Sequence, residues 1–245
     1  MTIAHRDRTA MVTGATSGIG RATAVALLDS GARVVAVGRQ VDRLEELAAR
    51  FGDRLHICAA DLSRDGEAAR LLGRLPQGWM VDTLIYAAGH DAGGNVPFHE
   101  SKLADLQDKL GVNLTAAAQL IHAMLPAWLI RDQGDLVVVG SIAAREAAPG
   151  LTPYALTKHG LHGLMAGLRI DYAASGLRFI EIIPGVVRSG FASRRWSGDE
   201  ARADQFYQRF AGWLTPEDVA GAILWALAQP EHVSSDEIVL RPTRR

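Results

Sequence analysis

Thr13-Gly14-Ala15-Thr16-Ser17-Gly18-Ile19-Gly20 joins an apolar run at residues 10–13 to a helical pattern over about residues 18–30. A strand that turns through three glycines into a helix has a specific physical use. Gly14 permits the tight turn, Gly18 lets backbone approach a pyrophosphate closely, and Gly20 lets the helix pack on the sheet. Phosphates placed beside Thr16, Ser17 and Ile19 would meet free N–H groups at the positive end of the helix. Three glycines alone also describe a plain strand-to-helix turn, so the rest of the chain has to decide. The phosphate loop of a nucleoside triphosphatase is excluded, because it needs Lys-Ser or Lys-Thr where this chain has Ile19-Gly20-Arg21.

Outward from that turn, short apolar runs alternate with longer helical patterns. Residues 33–37, 55–59, 81–87, 135–140, 178–183 and 237–240 read as further strands, and residues 65–75, 102–131, 153–174 and 216–228 as helices. Strands apolar on both faces and separated by helices imply a parallel sheet covered on both sides. The expectation is an α/β, single-domain Rossmann fold over residues 1–245, a doubly wound parallel sheet of about seven strands. One segment breaks the alternation: residues 186–213 turn polar and irregular, and a long insertion after a strand's carboxyl end is where a substrate lid would sit. A solvated surface helix is the plainer reading.

Composition narrows the class of function. With 26 basic against 27 acidic side chains the formal charge is −1, which gives no footprint for nucleic acid or an anionic membrane. A hydrophobic fraction of 48% with 22% charged residues excludes a disordered chain. The single cysteine, Cys58, can form no internal disulfide and no zinc cluster. No signal-peptide pattern opens the chain and no run of about 18 apolar residues occurs, so a cytoplasmic protein with no membrane span is expected. His90, His159 and His162 lack a HExxH pattern or a carboxylate at a supporting interval, so no metal is expected and they read as rim or interface residues.

The dinucleotide can be narrowed. An acidic residue at the end of the second strand would bind the ribose hydroxyls of NAD. Gly38-Arg39 stands there instead, and Arg39 can fork two donors onto a 2′-phosphate, which favours NADP(H) over NAD(H). A solvated loop arginine is the alternative. Asp42 suits the start of the next helix, and Asp61 and Leu62 follow the third strand where an adenine would lie, unless Asp61 merely begins a helix at Asp65.

Tyr154 and Lys158, four apart on a helical pattern, share one face. Ser141 adds a hydroxyl at a strand's carboxyl end. Asn113 lies in a long, mostly apolar helical stretch, where its amide is either functional or a satisfied core group. At these residues the chain resembles the short-chain dehydrogenase/reductase family in its single-domain form. The likeness covers essentially the whole chain: the turn at residues 13–20, Asp61, Ala88-Gly89, Asn113, Ser141, Tyr154-x-x-x-Lys158 and Pro184-Gly185. Each motif is modest alone, but together their order and spacing are highly specific.

The resemblance implies roles. Tyr154 would be the general acid/base; a free tyrosine has a pKa near ~10, so it would need a lowered value, supplied by Lys158 and the positive nicotinamide. Lys158 would also bond the nicotinamide ribose, Ser141 would polarise the substrate oxygen, and Asn113 would anchor a water in a proton relay. Pro184-Gly185 would line the nicotinamide, with Val187 and Ser189 near its carboxamide. Where the family has Asn-Ala-Gly after the fourth strand, Ala87-Ala88-Gly89 stands here, so an amide that braces the sheet centre is absent.

The resemblance further implies a small-molecule carbonyl or alcohol substrate and a homodimer or homotetramer joined through the long helices of residues 102–131 and 153–174, with Trp225 on a second interface. Residues 214–219 and 236–243 resemble bacterial NADP-dependent reductases of hydroxy acids and small aldehydes. Arg145, Arg188, Arg194 and Arg195 would grip a carboxylate, or else are solvated; Tyr86, Phe191 and Trp196 would instead form an apolar pocket. A non-catalytic NADP-binding regulator of the same fold is the rival class, and the complete set of Asn113, Ser141, Tyr154 and Lys158 speaks against it.

Overall fold

Strands that are apolar on both faces must be covered on both, and the computed structural model, which describes residue 5 and residues 7–64, 66–146 and 148–244, shows how this is done. In chain order the elements are β1 (Thr9–Thr13), α1 (Gly18–Asp29), β2 (Arg33–Gly38), α2 (Val41–Phe51), β3 (Leu55–Ala59), α3 (Glu67–Arg70), β4 (Thr83–Tyr86), α4 (Leu103–Leu110) and α5 (Ala116–Arg131). There follow β5 (Gly134–Val139), α6 (Thr152–Asp171), β6 (Leu177–Pro184), α7 (Phe191–Arg195), α8 (Glu200–Tyr207), α9 (Pro216–Leu227) and β7 (Glu237–Leu240). All strands pair in parallel, in the order β3-β2-β1-β4-β5-β6-β7. The order reverses between β1 and β4, and a crevice opens there at the carboxyl ends of the strands.

The period of two along each strand splits the core into two layers. Met11, Val35, Leu84 and Leu136 pack with Leu120, Met124, Leu161 and Met165 of α5 and α6. Val12, Ala36, Ile85, Val137 and Ile182 pack with Leu27, Leu28, Leu44 and Ile223 of α1, α2 and α9. Both faces of the sheet are therefore dry, as the unbroken apolar runs require.

Three expectations need correction. Residues 65–75 are not one helix: a single turn, α3, starts after Gly66 at φ 69° and passes into a 3₁₀ turn at Leu72–Arg74. Asp65, its expected start, lies outside the described residues, as do residues 1–4, 6, 147 and 245. Residues 102–131 are interrupted by a π turn at Gly111–Thr115, which carries Asn113. The expectation that no segment is long and apolar enough to cross a membrane also fails by length and composition, since Leu103–Arg131 passes that test. Its face with Ala117, Leu120, Ile121, Met124 and Trp128 is instead buried against the sheet.

Residues 186–213 contain α7 and α8. The excursion is pinned at its base, where Leu214 N donates to the Val186 carbonyl and Arg188 N to the Leu214 carbonyl, both at 2.8 Å. Its helices share a small cluster of their own, Ala192, Ala203 and Tyr207 packed with Trp196 and Phe206.

Candidate active site

A cavity of about 800 Å³ lies over the crevice. Gly14, Thr16, Ser17, Gly18 and Ile19 line one end together with Arg39, Asp61, Leu62, Ala88 and Gly89. Gly14 has φ 69°, and a Cβ there would stand 3.0 Å from the Ala87 carbonyl oxygen, so the turn admits only glycine without strain. Gly20 does not line the cavity. It lies beneath the turn, where a Cβ would be 2.4 Å from the Gly14 carbonyl oxygen. Ser17 makes no side-chain cap and the first turn of α1 carries no acid, which leaves its N–H groups available to an anion.

Cations gather at this end. Arg194 of α7 reaches across to donate to Ser17 Oγ at 3.0 Å. Its pKa is lowered by burial and then by the nearby Arg39 and Arg43 guanidinium groups. Asp61 faces the same cluster: burial pushes it up, but hydrogen bonds from Ser63 and the field of Arg39 hold it below the usual carboxylate range. At Ala87, where the asparagine is missing, the backbone is held by Thr13, whose Oγ1 accepts from both Ala87 N and Ala88 N at 3.1 Å.

At the other end the structure brings Ser141, Tyr154 and Lys158 together. The Ser141 hydroxyl accepts from Ala143 N at 3.1 Å and is near enough to the Tyr154 phenol to favour its ionised form. The Lys158 ammonium donates to the Val139 carbonyl at 2.8 Å and stands 5.7 Å from the Tyr154 ring centre. Pro184, Gly185, Val187 and Ser189 continue the wall, and Tyr207 OH accepts from Ser189 N at 3.1 Å.

The Asn113 side chain is fully committed within the protein. It is wholly buried; Oδ1 accepts from His90 N at 2.9 Å, and Nδ2 donates to the His90 carbonyl at 2.9 Å and to Thr157 Oγ1 at 3.1 Å. Both amide protons are spent on bracing the loop after β4 against α6.

The ionisable groups are displaced in opposite directions. Burial pushes Tyr154 up to about 12, the Ser141 hydroxyl and Arg195 opposing this and Asp91 adding to it. Burial pulls Lys158 down to about 8 against the field of Glu181. The lowering expected for Tyr154 is thus not a property of its protein surroundings, because taking a phenolate out of water costs more than these neighbours return.

Sequence reasoning missed a buried ionic cluster beside this end. Asp91 is 2% exposed and lies 3.4 Å from Lys109 and 2.8 Å from Arg195. Burial raises its pKa against both cations. Arg195 lines the cavity, and its Nη1 is buried with no hydrogen-bond partner. The other arginines are committed elsewhere: Arg145 to Glu237 and Arg188 to Asp204 at 3.3 Å. Tyr86 is also outside the cavity, with its hydroxyl donating to the Val112 carbonyl at 2.6 Å, and Trp196 packs on Phe206 behind the wall. Phe191 does line the cavity, edge-on to Tyr154 at 5.8 Å.

Comparison with known proteins decides the family. The profile described as short chain dehydrogenase matches residues 8–200. The chain belongs to the short chain dehydrogenase family. Among similar members, this dehydrogenase is 34% identical over 238 residues to a serine 3-dehydrogenase of Agrobacterium fabrum, covering 97% of this chain and 94% of that protein. It is 32% identical to the NADP-dependent 3-hydroxy acid dehydrogenase YdfG of Escherichia coli (strain K12), over 95% of this chain and 94% of that one. A solved structure, the closed form of serine dehydrogenase complexed with NADP+, superposes with a TM-score of 0.90 at 31% identity, covering 95% of this chain and 94% of that one.

Proposed function

We propose that this short chain dehydrogenase is an NADP(H)-dependent oxidoreductase that interconverts a carbonyl and a secondary alcohol on a small hydroxy acid. The observation that carries the reading is convergence. Ser141, Tyr154 and Lys158 meet at one end of a cavity whose other end offers a glycine turn, a helix N-terminus and Arg39. The cradle fits a dinucleotide, since a Cβ at Gly14 would close it and the arginine cluster suits a 2′-phosphate.

When bound, the nicotinamide supplies the hydride. Tyr154 hands the proton to the substrate oxygen during reduction and takes it during oxidation. Ser141 holds that oxygen, and Lys158 supplies the positive charge that makes a tyrosinate less costly. Asn113 fixes the loop and α6 on which this geometry rests. Metal plays no part in this reading. A non-catalytic binding protein would have no use for Ser141, Tyr154 and Lys158 converging on the cavity.

Arg195 is the carboxylate reader. Among the described residues one carboxylate, Asp91, is shared between its cation and Lys109, which leaves the buried cluster in need of a further negative charge. The names of the relatives, a serine 3-dehydrogenase and a 3-hydroxy acid dehydrogenase, support this class of substrate. Residues 186–213 act as the lid of a single-domain enzyme. Exposed Leu103, Ile130, Leu156 and Ile170 on α4–α6, and Trp225 on α9, support a homodimer or homotetramer, and a cytoplasmic location is part of this reading.

The test is titration of the purified protein with NADPH and NADH separately, repeated with Arg39→Ala, followed by turnover of paired carbonyl compounds with and without a carboxylate. NADPH is expected to bind at least about tenfold more tightly than NADH, with the preference collapsing in the variant. Binding of neither would sink the enzymatic reading.

A further inference from the structure

Lys158 has a charged neighbour behind the active site that the reaction described above does not use. Glu181 stands in the middle of β6 between Ile180 and Ile182 and is wholly buried. A carboxylate in that position has to be paired. Its Oε2 lies 2.7 Å from His162 Nδ1, and His162 follows Lys158 by one turn on the same face of α6. Its Oε1 has no hydrogen-bond partner and is turned onto Gly140, where a Cβ would stand 2.3 Å away. Gly140 is the link between Val139, whose carbonyl takes the Lys158 hydrogen bond, and Ser141, whose hydroxyl acts on Tyr154. The carboxylate therefore lies against the backbone that carries both groups.

A cation site is the competing reading, because His162, Glu181 and Glu237 bring ligand atoms within 4.8 Å of one another. Glu237 is already engaged by Arg145 and by Arg169 at 3.5 Å, however, and a metal would have to displace guanidinium charge. Cations already outnumber carboxylates without one: Arg145 and Arg169 answer Glu237, while Glu181 faces His162 and its field reaches Lys158.

We propose that Glu181 is a positioning residue that, from β6 beneath α6, keeps Lys158 in its ammonium form and seated on the Val139 carbonyl, with His162 closing the pair off from solvent. The geometry agrees with the direction of the electrostatics: Glu181 is the charged group whose field opposes the burial of Lys158. Tyr154 and His162 on α6, Glu181 on β6, Glu237 on β7 and Arg145 after β5 are the titratable and charged groups on this side; Arg169, further along α6, completes the set. The inference rests on the proposed role of Lys158, so its test reads the lysine itself rather than turnover.

The chain has only three lysines, Lys102, Lys109 and Lys158, which makes a direct measurement simple. Protein labelled with ¹³C at lysine Cε is titrated by NMR, with Lys158→Met identifying the resonance. Glu181→Gln, and Glu181→Met as an apolar replacement of similar size, are expected to lower the Lys158 midpoint by about one unit or more, a tenfold loss of proton affinity, with Lys102 unmoved. An unmoved Lys158 midpoint in either folded variant overturns the proposal. Should neither variant fold, the wild-type titration decides: a midpoint near 8 supports it, and one of about 6 or below, where buried lysines without a counter-charge titrate, overturns it. A shifted lysine in a protein that turns over no carbonyl would keep this proposal and remove the enzymatic one.

Discussion

At the end of the cavity nearest β1–β3, the protein offers mostly backbone: the glycine turn, the N–H groups of α1 and a fringe of arginines. At the end nearest β5 and β6 it offers Ser141 and side chains taken out of water, namely Tyr154, Lys158, Arg195 and the Asp91 behind it. The first end depends on the absence of side chains, since a Cβ at Gly14 or Gly20 would meet backbone atoms that cannot yield. The second depends on charges whose proton affinities burial has displaced, Tyr154 upward and Lys158 downward. Substitution should therefore separate binding from chemistry along the length of one cavity.

The largest separation is expected from Tyr154→Phe. Removing a general acid/base costs on the order of 10²–10⁴ in turnover, while the nucleotide end is untouched. Steady-state kinetics beside an NADPH fluorescence titration checks this; near-normal turnover would remove Tyr154 from the chemistry. Arg195→Leu comes next. Losing a charged hydrogen bond worth roughly 1.5–3 kcal/mol predicts a loss of about 10–100-fold in kcat/KM for a carbonyl acid. Its neutral analogue should change little. An equal loss on both substrates would instead make Arg195 a packing residue, held by Phe206 at 4.9 Å and Trp196 at 5.4 Å.

The same contrast governs what can be read from sequence. The nucleotide end is local: one turn of eight residues and Arg39 at the end of the next strand state its purpose by spacing. Ser141, Tyr154 and Lys158 are legible through their order and spacing. The Asp91–Lys109–Arg195 cluster is not, because its members come from three separate segments and none stands in a motif. One signal was available in Lys109, a charge three residues after Leu106 on the buried side of its helix. His162 shows the same limit, since its carboxylates, Glu181 and Glu237, come from strands rather than from its own helix. The π turn at Asn113 escaped because periodicity over residues 102–131 reads as one helix, and a single widened turn shifts the register too little to break the pattern. Sequence groups Arg194 with Arg195 as a carboxylate grip or a solvated charge, yet Arg194 faces the nucleotide end while Arg195, the next residue, faces the other.

A smaller effect, on stability, tests the backbone end. In Gly20→Ala the new methyl meets the Gly14 carbonyl oxygen at 2.4 Å and α1 must move off the turn. Overpacking of this kind costs roughly 1–3 kcal/mol, which for a chain of this size lowers Tm by about 2–12 °C. NADPH affinity should fall with it, because the displaced helix start is the phosphate cradle. A variant as stable as the wild type, with unchanged affinity, would show that the turn is softer than its geometry implies.

The subtlest prediction concerns the chemical end and follows from the sign of one displacement. The folded-state pKa of Lys158 is about 8, below its ordinary 10.5, so between those values the unfolded chain holds the extra proton. Stability contributed by this group must then rise with pH through that window. Tyr154 acts in the opposite sense, but only above pH 10, where the unfolded phenol begins to ionise while the folded one holds its proton to about 12. Cys58, raised above 9.0 by burial, also opposes the rise, yet it is present equally in any variant of the lysine. The difference between wild type and Lys158→Met therefore isolates the lysine. Urea unfolding at intervals from pH about 8 to about 10 should show the wild type gaining on the variant, which no longer carries a charge to bury. A constant difference across that range would mean that Lys158 keeps its proton, and that the side chains at this end are less dehydrated than their burial suggests.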